Sequence, residues 1–587
     1  MTTKSMNHAG ISNSAALTDA SFNAKVGYKT APAQAPTATS RNDHSHIDPN
    51  IVAHYHKALE VLARPHEDIS QSAYDIAIVS LVPGPQQASC IRWLVSNRNV
   101  DGTWGADTQL SWYDRYICTY AASIAFRNIG LTEQADEIVS LLPQIFSQRE
   151  DVSPETVTFG GLVGALDQFS RVNGLPVVSH NAIVRQIVDE ECDKWERMLT
   201  WSEFYNASIS NVGYSAERIY GDSRIDLDLF LRNFQVENDS IATAPAAGAM
   251  TLLEIDRRNA RVSEGRLARL RRYVYGLDPY ERTVGHMDHL FYFVTSWALM
   301  YVGELGITYN PAHYPDIEVL IDRVFEALFN EDGFRLLGIT DPTTIPGDAD
   351  STSSAILGIR YARPQVFDIS KLENIYIADQ GYYQTYKYER HPALSTNIHM
   401  AGVLADINAL QLGPLMYWLQ KEIVENQNLA CKWHVSPFYV MGEMARILAH
   451  VQHPVAQTLA LYAADYFLAA QKSDGSWGIG PSTIEETGFA VLGLTAIFDR
   501  LSRQMNHERS SLLHVLHKSL ITAKQYLESI SARSPNWQDQ ESSYAPLWIG
   551  KPLYCVKPLI PVLFHFSLGR IEQIEQKYRG LVAGTGV

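Results

Sequence analysis

The chain has 587 residues, of which 46% are hydrophobic, and its formal net charge is −16. At roughly 100–200 residues per domain, this length allows two large domains or several small ones. The negative charge argues against a nucleic-acid partner, because phosphate binding needs a basic face. The five cysteines are scattered without a CxxC pair, which indicates reduced thiols rather than a disulfide framework or a zinc site.

The N-terminal segment 1–50 is rich in Ser, Thr, Ala, Asn and His and lacks the apolar stretch of a secretory signal. We expect a disordered tail there, with a transit peptide as the alternative. No run of about 18 apolar residues occurs, so no transmembrane helix is expected. These features predict a cytoplasmic protein.

From Ile51 onward, apolar residues recur at the three-and-four spacing of amphipathic helices, as in residues 51–62 and 455–470. Alternating β-branched runs are scarce, and Gly and Pro cluster in short connections such as residues 82–85. The pattern predicts an all-α protein with short loops between helices.

Residues 93–105 and 467–478 form a weak internal repeat. Each is the end of an apolar helix followed by an Asp-Gly turn and a tryptophan, in the sequences DGTWG and DGSWG. Asp-Gly makes a tight turn, after which the indole can fold back between helices. Two copies in distant halves of the chain predict two related helical domains.

Asp348 and Asp350 stand one residue apart, just before the apolar run 356–359. Repulsion between close carboxylates raises one pKa and can keep that group protonated near neutral pH. In a dry pocket that holds a polyene, such an acid can start a carbocation cascade. The alternative is that these residues only cap a helix.

The two tryptophan turns resemble the QW motifs of the terpene cyclase superfamily. Further segments resemble class II diterpene cyclases, and they follow in order as SAYDIAIVSLVP at 72–83, YDR at 113–115, WHVSPFY at 433–439, EET at 485–487 and YAPLWIGKPLY at 544–554. The resemblance covers nearly the whole chain after the tail. It places residues 348–351, DADS, where the family carries DxDD.

The resemblance implies two α/α-barrel domains, called γ and β, with an apolar active site between them. Residues 51–69 would be the first helix of the β domain, residues 70–308 the inserted γ domain, and residues 309–587 the rest of the β domain with the acid motif. Pockets between domains are also a general expectation for ligand sites.

The resemblance further implies an isomerase that protonates geranylgeranyl diphosphate and leaves the diphosphate in place. Asp350 would be the general acid, and Asp348 would bond to it or supply the charge that keeps it protonated. Ser351 replaces a carboxylate of the family motif, which would weaken that effect; a helix cap is the alternative role. Asn397 matches a family asparagine that hydrogen-bonds the acid.

Tyr214 stands where relatives that make copalyl diphosphate have the histidine of a base dyad. A neutral phenol is a poor base at pH 7, but its ring can stabilise a passing cation. We expect a bicyclic diterpenyl diphosphate of the labdane or copalyl type or of a rearranged halimane or clerodane type. Tyr214 and Ser351 favour a rearranged or hydroxylated product.

Substrate-binding residues are also expected from the resemblance. The aromatic candidates for the cavity wall are Trp112, Trp433 and Tyr439. The candidate cations for the diphosphate are Lys432, Arg390 and Lys551. The acidic residues Glu150, Asp151 and Glu155 stand where relatives carry a Mg²⁺ motif, so Mg²⁺ is the expected cofactor, with a solvated loop cluster as the alternative.

Other functions are weighed against this one. The chain contains no Asp-Asp pair, which argues against a class I cyclase that ionises the diphosphate. The alternatives are a sesquiterpene cyclase that makes drimenyl diphosphate from farnesyl diphosphate, and a non-catalytic α-barrel that binds prenyl chains. A homodimer is kept open, and the product would pass to a separate class I synthase or a phosphatase.

Overall fold

The computed structural model describes residues 49–62, 69–146, 158–236, 238–276, 291–304, 315–330, 333–340, 345–363, 369–387, 389, 391–503, 507–540 and 543–585. The expected tail, residues 1–50, lies outside this set except for its last two residues, which begin the first helix. In the described part of the chain, no helix is long and apolar enough to cross a bilayer.

The first half of the chain is helical, as the spacing of its apolar residues predicts. Its helices are α1 Pro49–Leu62, α2 Ala73–Val79, α3 Gln87–Ser96, α4 Thr108–Asn128, α5 Thr132–Phe146, α6 Phe159–Val172, α7 Ala182–Met198, α8 Leu227–Phe234, α9 Pro245–Arg258 and α10 Glu264–Tyr275.

The second half is also mainly helical, so the predicted all-α fold class is confirmed. Its helices are α11 Phe291–Gly303, α12 Pro315–Leu328, α13 Ala349–Ile359, α14 Leu394–Asp406, α15 Leu412–Gln420, α16 Pro437–Leu448, α17 Pro454–Ala470, α18 Ile484–Ser502, α19 His507–Arg533 and α20 Leu559–Thr585. Short antiparallel pairs join β1 Phe329–Asn330 to β2 Gly333–Phe334, β3 Tyr376–Ile377 to β4 Tyr382–Tyr383, and β5 Trp548–Ile549 to β6 Leu553–Tyr554.

The helices pack around two apolar cores. The first core is built by α2 to α10, and the second by α1 together with α11 to α20. Helix α1 packs on α20. Helix α11 lies against α13 and α20 within the second core, and the division into γ and β domains stays a prediction.

The β5–β6 hairpin ties the two cores together. Side chains alternate along a strand, so Ile549 and Leu553 enter the first core while Trp548 and Tyr554 enter the second. The Leu553 N–H also donates to Asp114 Oδ1 at 2.6 Å. The hairpin therefore packs against both cores and links them.

The internal repeat of the sequence is also a repeat of the structure. The Trp104 indole donates to the carbonyl of Leu94 at 2.8 Å, and the Trp477 indole donates to the carbonyl of Phe467 at 2.9 Å. Each tryptophan thus folds back onto the last turns of the preceding helix, where it bonds the carbonyl ten residues earlier, and each is completely buried. Both turns contain a glycine with a positive φ angle.

Gly475 supplies that positive angle in the second turn, with φ at +89°. A Cβ atom there would lie 2.2 Å from the carbonyl oxygen of Thr522. We expect Gly475→Ala to lower the free energy of unfolding by more than about 1 kcal/mol, because the left-handed backbone and the contact with backbone atoms both oppose a side chain. Urea denaturation followed by tryptophan fluorescence measures this effect.

Gly480→Ala is the matched control, because a Cβ atom at Gly480 meets nothing within 4 Å. Equal stability of the two variants would contradict the role assigned to the turn.

Candidate active site

A cavity of about 360 Å³ is lined by residues of both cores. The second core contributes aromatic rings, and the first core contributes residues of α7 and of the segment that follows it. The aromatic wall is formed by Phe293, Trp297, Tyr386, Trp433, Trp548 and Tyr554 from the second side and by Trp195, Trp201 and Tyr214 from the first. This wall is mostly apolar, so a hydrocarbon chain fits its chemistry.

Of the aromatic residues predicted for the wall, Trp433 lines the cavity, but Trp112 and Tyr439 do not. Trp112 packs inside the first core against Phe159, with ring centroids 5.1 Å apart. Tyr439 lies on α16, stacks on His434 and accepts a hydrogen bond from the Trp297 indole. Both side chains therefore pack between helices and do not line the cavity.

Asp348 and Asp350 lie at the start of α13 and both line the cavity. Asp348 is the N-cap residue and accepts hydrogen bonds from the Ser351 N–H at 2.6 Å and the Ser351 hydroxyl at 2.8 Å. The two aspartates are 1% and 6% exposed. The helix cap is therefore present, but it does not exclude chemistry, because the capped carboxylate also faces the cavity.

The Asp348 carboxyl group retains its proton at neutral pH. Burial raises the pKa of Asp348 to about 8, and the negative charge of Asp350 adds to this effect. The N–H and the hydroxyl of Ser351 act in the opposite direction by stabilising the ionised form. The site therefore holds one acid proton, on Asp348, at a place where both aspartates are buried.

His399 lies between Asp350 and a second buried carboxylate. Its Nδ1 is 2.7 Å from Asp350 Oδ1, and its Nε2 is 3.0 Å from Glu443 Oε2. Burial alone would lower its pKa, but the charges and hydrogen bonds of Asp350 and Glu443 raise it to about 9. The ring is therefore a cation at neutral pH and donates a hydrogen bond from each nitrogen.

The contact with the acid that the sequence predicts for Asn397 is not made. The Asn397 amide instead donates to the carbonyls of Tyr383 and Ala393, each at 2.9 Å. The reason is helix geometry: Ser395 and His399 are four residues apart and share one face of α14, while Asn397 points elsewhere. That i, i+4 spacing was the signal that could have identified His399.

The lysines predicted to bind diphosphate are already paired. Lys432 Nζ lies 2.5 Å from Glu389 Oε1 and 2.7 Å from the carbonyl oxygen of His391. Lys551 and Glu217 form a fully buried ion pair at 2.7 Å. The third predicted cation, Arg390, lies outside the described residues.

Other cations line the same cavity. Arg218 and Lys194 come from the first core side, and Lys371 and Lys387 from the second. Lys194 also forms an ion pair with Glu191 at 3.7 Å. The Arg218 guanidinium lies 5.7 Å from the Trp195 ring centroid and 3.5 Å from the sulfur of Cys192. Among the described carboxylates, none forms a salt bridge with Arg218. This group is therefore available to an anionic ligand.

Tyr214 lines the cavity with a neutral ring. Burial raises the pKa of its phenol well above 10, and the nearby Tyr554 and Glu217 act in the same direction. The Lys551 ammonium lies 4.8 Å from its ring centroid. The phenol is therefore not a base at neutral pH, and one cation already occupies the neighbourhood of its ring.

Known proteins resemble this chain in sequence and in fold, although no protein-family model matches it. The chain is 24% identical over 532 residues to a protein of Mycobacterium tuberculosis named type B diterpene cyclase. The aligned region covers 86% of this chain and 97% of that relative. The chain is also 27% identical over 220 residues to the ent-copalyl diphosphate synthase of Streptomyces sp. strain KO-3988. That aligned region covers 35% of this chain and 39% of the relative.

The fold matches the solved structure of ent-copalyl diphosphate synthase from Streptomyces platensis with a TM-score of 0.66 and 19% identity, over 89% of this chain and 99% of that chain. This likeness agrees with the predicted α-barrel fold. The structural match concerns the fold, and the named relatives indicate a likeness to class II diterpene cyclases. The resemblance predicted from the sequence is confirmed, and so is the prediction of an enzyme that catalyses cyclisation.

The predicted Mg²⁺ cofactor is wrong. The relatives indicate the class of cyclase that is driven by protonation, and nothing in the comparisons supports Mg²⁺. Within the described residues, no three His, Cys, Asp or Glu side chains are grouped to hold a metal ion. The predicted ligands Glu150, Asp151 and Glu155 lie outside those residues.

The charge of His399 depends on its carboxylate neighbours, which gives a direct test. We expect Asp350→Asn to lower the pKa of His399 from about 9 by at least about 1, because removing a nearby negative charge destabilises the imidazolium. A pH titration of the ring nitrogens by ¹⁵N NMR measures this change. Ser354→Ala is the control, since the Ser354 hydroxyl lies 3.1 Å from the same nitrogen without a charge. An unchanged pKa in Asp350→Asn would refute the assigned contact.

Proposed function

We propose that this chain is a class II diterpene cyclase that protonates the terminal alkene of geranylgeranyl diphosphate and releases a bicyclic diterpenyl diphosphate. The observation that supports the proposal most strongly is the pair of buried aspartates that lines an aromatic cavity. Asp348 keeps its proton at neutral pH, and Asp350 contacts the buried ring of His399. The named relatives support the same class of reaction.

In this proposal Asp350 is the proton donor. Its Oδ1 accepts a hydrogen bond from His399, which leaves Oδ2 to carry the proton that is transferred. The neighbouring imidazolium stabilises the carboxylate that forms, so the transfer becomes easier. Asp348, whose carboxyl group is mostly neutral at pH 7 because burial raises its pKa to about 8, would share its proton with Asp350 before the transfer to the alkene.

The cavity wall would protect the cation that follows. Trp297, Trp433 and Trp548 line the space beside the aspartates, and the π faces of aromatic rings attract positive charge. An apolar wall also excludes water, which would otherwise end the cascade early. The walls therefore favour several ring closures before the cation is discharged.

The product skeleton is the finer part of the proposal. Tyr214 is neutral and lies beside the Lys551 ammonium, so we infer that the cascade does not end by proton transfer to this residue. Ser351 supplies a hydroxyl in place of a third carboxylate. Both features favour a rearranged halimane or clerodane skeleton, or a hydroxylated product, over simple copalyl diphosphate.

We further propose that the diphosphate stays attached and is held by Arg218, Lys194, Lys371 and Lys387. A guanidinium binds phosphate oxygens through charge-assisted, often bidentate hydrogen bonds. Retention of the diphosphate would require a separate class I synthase or a phosphatase to complete the pathway. That downstream partner and a homodimer stay predictions.

The first test is turnover. Purified protein with geranylgeranyl diphosphate is expected to give a bicyclic diterpenyl diphosphate, identified as its alcohol by mass spectrometry after dephosphorylation. Asp350→Asn should reduce kcat by about 100-fold or more, as the loss of a general acid does. Asp406→Asn, an exposed carboxylate elsewhere, is the control. Preferred turnover of farnesyl diphosphate would favour the drimenyl alternative, and no turnover of either substrate would favour a prenyl-binding protein.

The second test concerns the diphosphate. Arg218→Gln should raise KM for geranylgeranyl diphosphate by about 10- to 100-fold, the effect expected for a lost hydrogen bond to a charged group. It should also weaken inhibition by inorganic diphosphate. Arg272→Gln is the matched control, because Arg272 pairs with Asp239 at 2.7 Å away from the cavity lining. An unchanged KM in Arg218→Gln would remove Arg218 from the anion site.

A further inference from the structure

The proposed reaction consumes one proton from Asp350 in every turnover. The O–H bond of the carboxyl group breaks as a C–H bond forms on the alkene, which leaves a carboxylate. This acid must be protonated again before the next substrate reacts. Because the cavity is apolar and filled by the product, we expect the proton to return through the protein. This inference rests on the proposed function.

One branch of hydrogen bonds leads away from Asp350 Oδ2. The Ser395 hydroxyl lies 3.4 Å from this oxygen, and the thiol of Cys431 lies 3.5 Å from the Ser395 oxygen. Ser395 is completely buried, while Cys431 is only partly buried. The chain of three groups therefore runs from the buried acid to a residue that is partly exposed.

The end of this branch carries a proton. Burial raises the pKa of the Cys431 thiol, so the sulfur is protonated at neutral pH. The N–H of Trp433 donates to the same sulfur at 3.4 Å, which stabilises a short-lived thiolate. Cys431 can thus give up a proton briefly and take one back from water.

The other branch, through His399, does not deliver protons. It continues from Glu443 Oε2 to the guanidinium of Arg446. Arginine does not release its proton in proteins, and both Glu443 and Arg446 are buried. Asp348 lies on the cavity wall beside Asp350, so any proton that it passes on must itself be replaced.

We propose that Ser395 and Cys431 form the relay that returns the proton to Asp350. The Ser395 O–H proton moves to Asp350 Oδ2, the Cys431 S–H proton moves to the Ser395 oxygen, and solvent reprotonates the sulfur. The net change is one proton taken from solvent. It balances the proton that the cation releases to solvent at the end of the cascade.

The test follows the exchange of the acid proton. Protein equilibrated in D₂O is diluted into excess H₂O, and geranylgeranyl diphosphate is added after a varied delay, with the protein in excess over substrate. The deuterium content of the first product then reports how much of the original acid deuteron is left. We expect Ser395→Ala to slow the loss of deuterium by about 10-fold or more, and Cys431→Ala to slow it in the same direction.

A second readout separates the relay from a merely structural role. Ser395→Ala should keep the single-turnover rate while its steady-state rate falls, because only the return of the proton is impaired. Ser395→Thr keeps a hydroxyl and should restore fast exchange. Ser353→Ala is the matched control: this buried hydroxyl donates to backbone carbonyls of α13 and not to the carboxyl group.

Deuterium loss at the wild-type rate in both Ser395→Ala and Cys431→Ala would overturn the relay, even though product is formed. If Ser395→Ala or Cys431→Ala fails to fold, the rate of deuterium loss in the other variant tests the relay. If the wild-type protein forms no cyclised product from geranylgeranyl diphosphate, the proposed function fails instead, so the two failures are distinguishable.

Discussion

The site depends on one imidazole ring held between two buried carboxylates. Asp350, His399, Glu443 and Arg446 form a row of alternating charge that is almost completely shielded from water. A buried charge is costly unless it is paired and hydrogen-bonded. Each member of the row therefore needs its neighbours, and helices α13, α14 and α16 must bring them together within hydrogen-bond distance.

This constraint explains why an acid motif alone does not define the site. Asp350 comes from the first turn of α13, His399 from α14, and Glu443 with Arg446 from α16. Arg446 also reaches Glu304 after the end of α11 at 3.2 Å. The row thus holds Asp350 at the cavity wall. It also places the positive charge of His399 beside the Asp350 carboxylate, which that charge stabilises.

Several motifs that carry the family resemblance hold the walls rather than touch the cavity. Asp75 accepts a hydrogen bond from the N–H of Ala246 at the start of α9. Asp114 accepts one from the β5–β6 hairpin, and Glu485 accepts one from the Trp548 indole at 2.6 Å. These carboxylates satisfy backbone and indole donors that burial would otherwise leave without a partner.

The sequence predicted the elements whose signals are local. Helical spacing gave the fold class, the repeated turns gave two copies of one tryptophan contact, and the aspartate pair gave the acid candidate. The sequence could not predict pairings between residues that lie far apart in the chain. Lys551 forms an ion pair with Glu217, 334 positions away, so its ammonium group is already paired. His399 is not predicted from the sequence, because its i, i+4 spacing from Ser395 indicates a shared helix face but not that α14 lies beside Asp350.

The central claim is that a proton from the buried aspartate pair starts the cyclisation while the diphosphate stays in place. The most direct measurement is the reaction of geranylgeranyl diphosphate in D₂O, with the product examined by NMR and mass spectrometry. The account predicts a bicyclic product that retains its diphosphate and carries one deuterium in the ring methylene group formed from the CH carbon of the former terminal alkene. A product without deuterium there, or release of inorganic diphosphate in step with cyclisation, would contradict it.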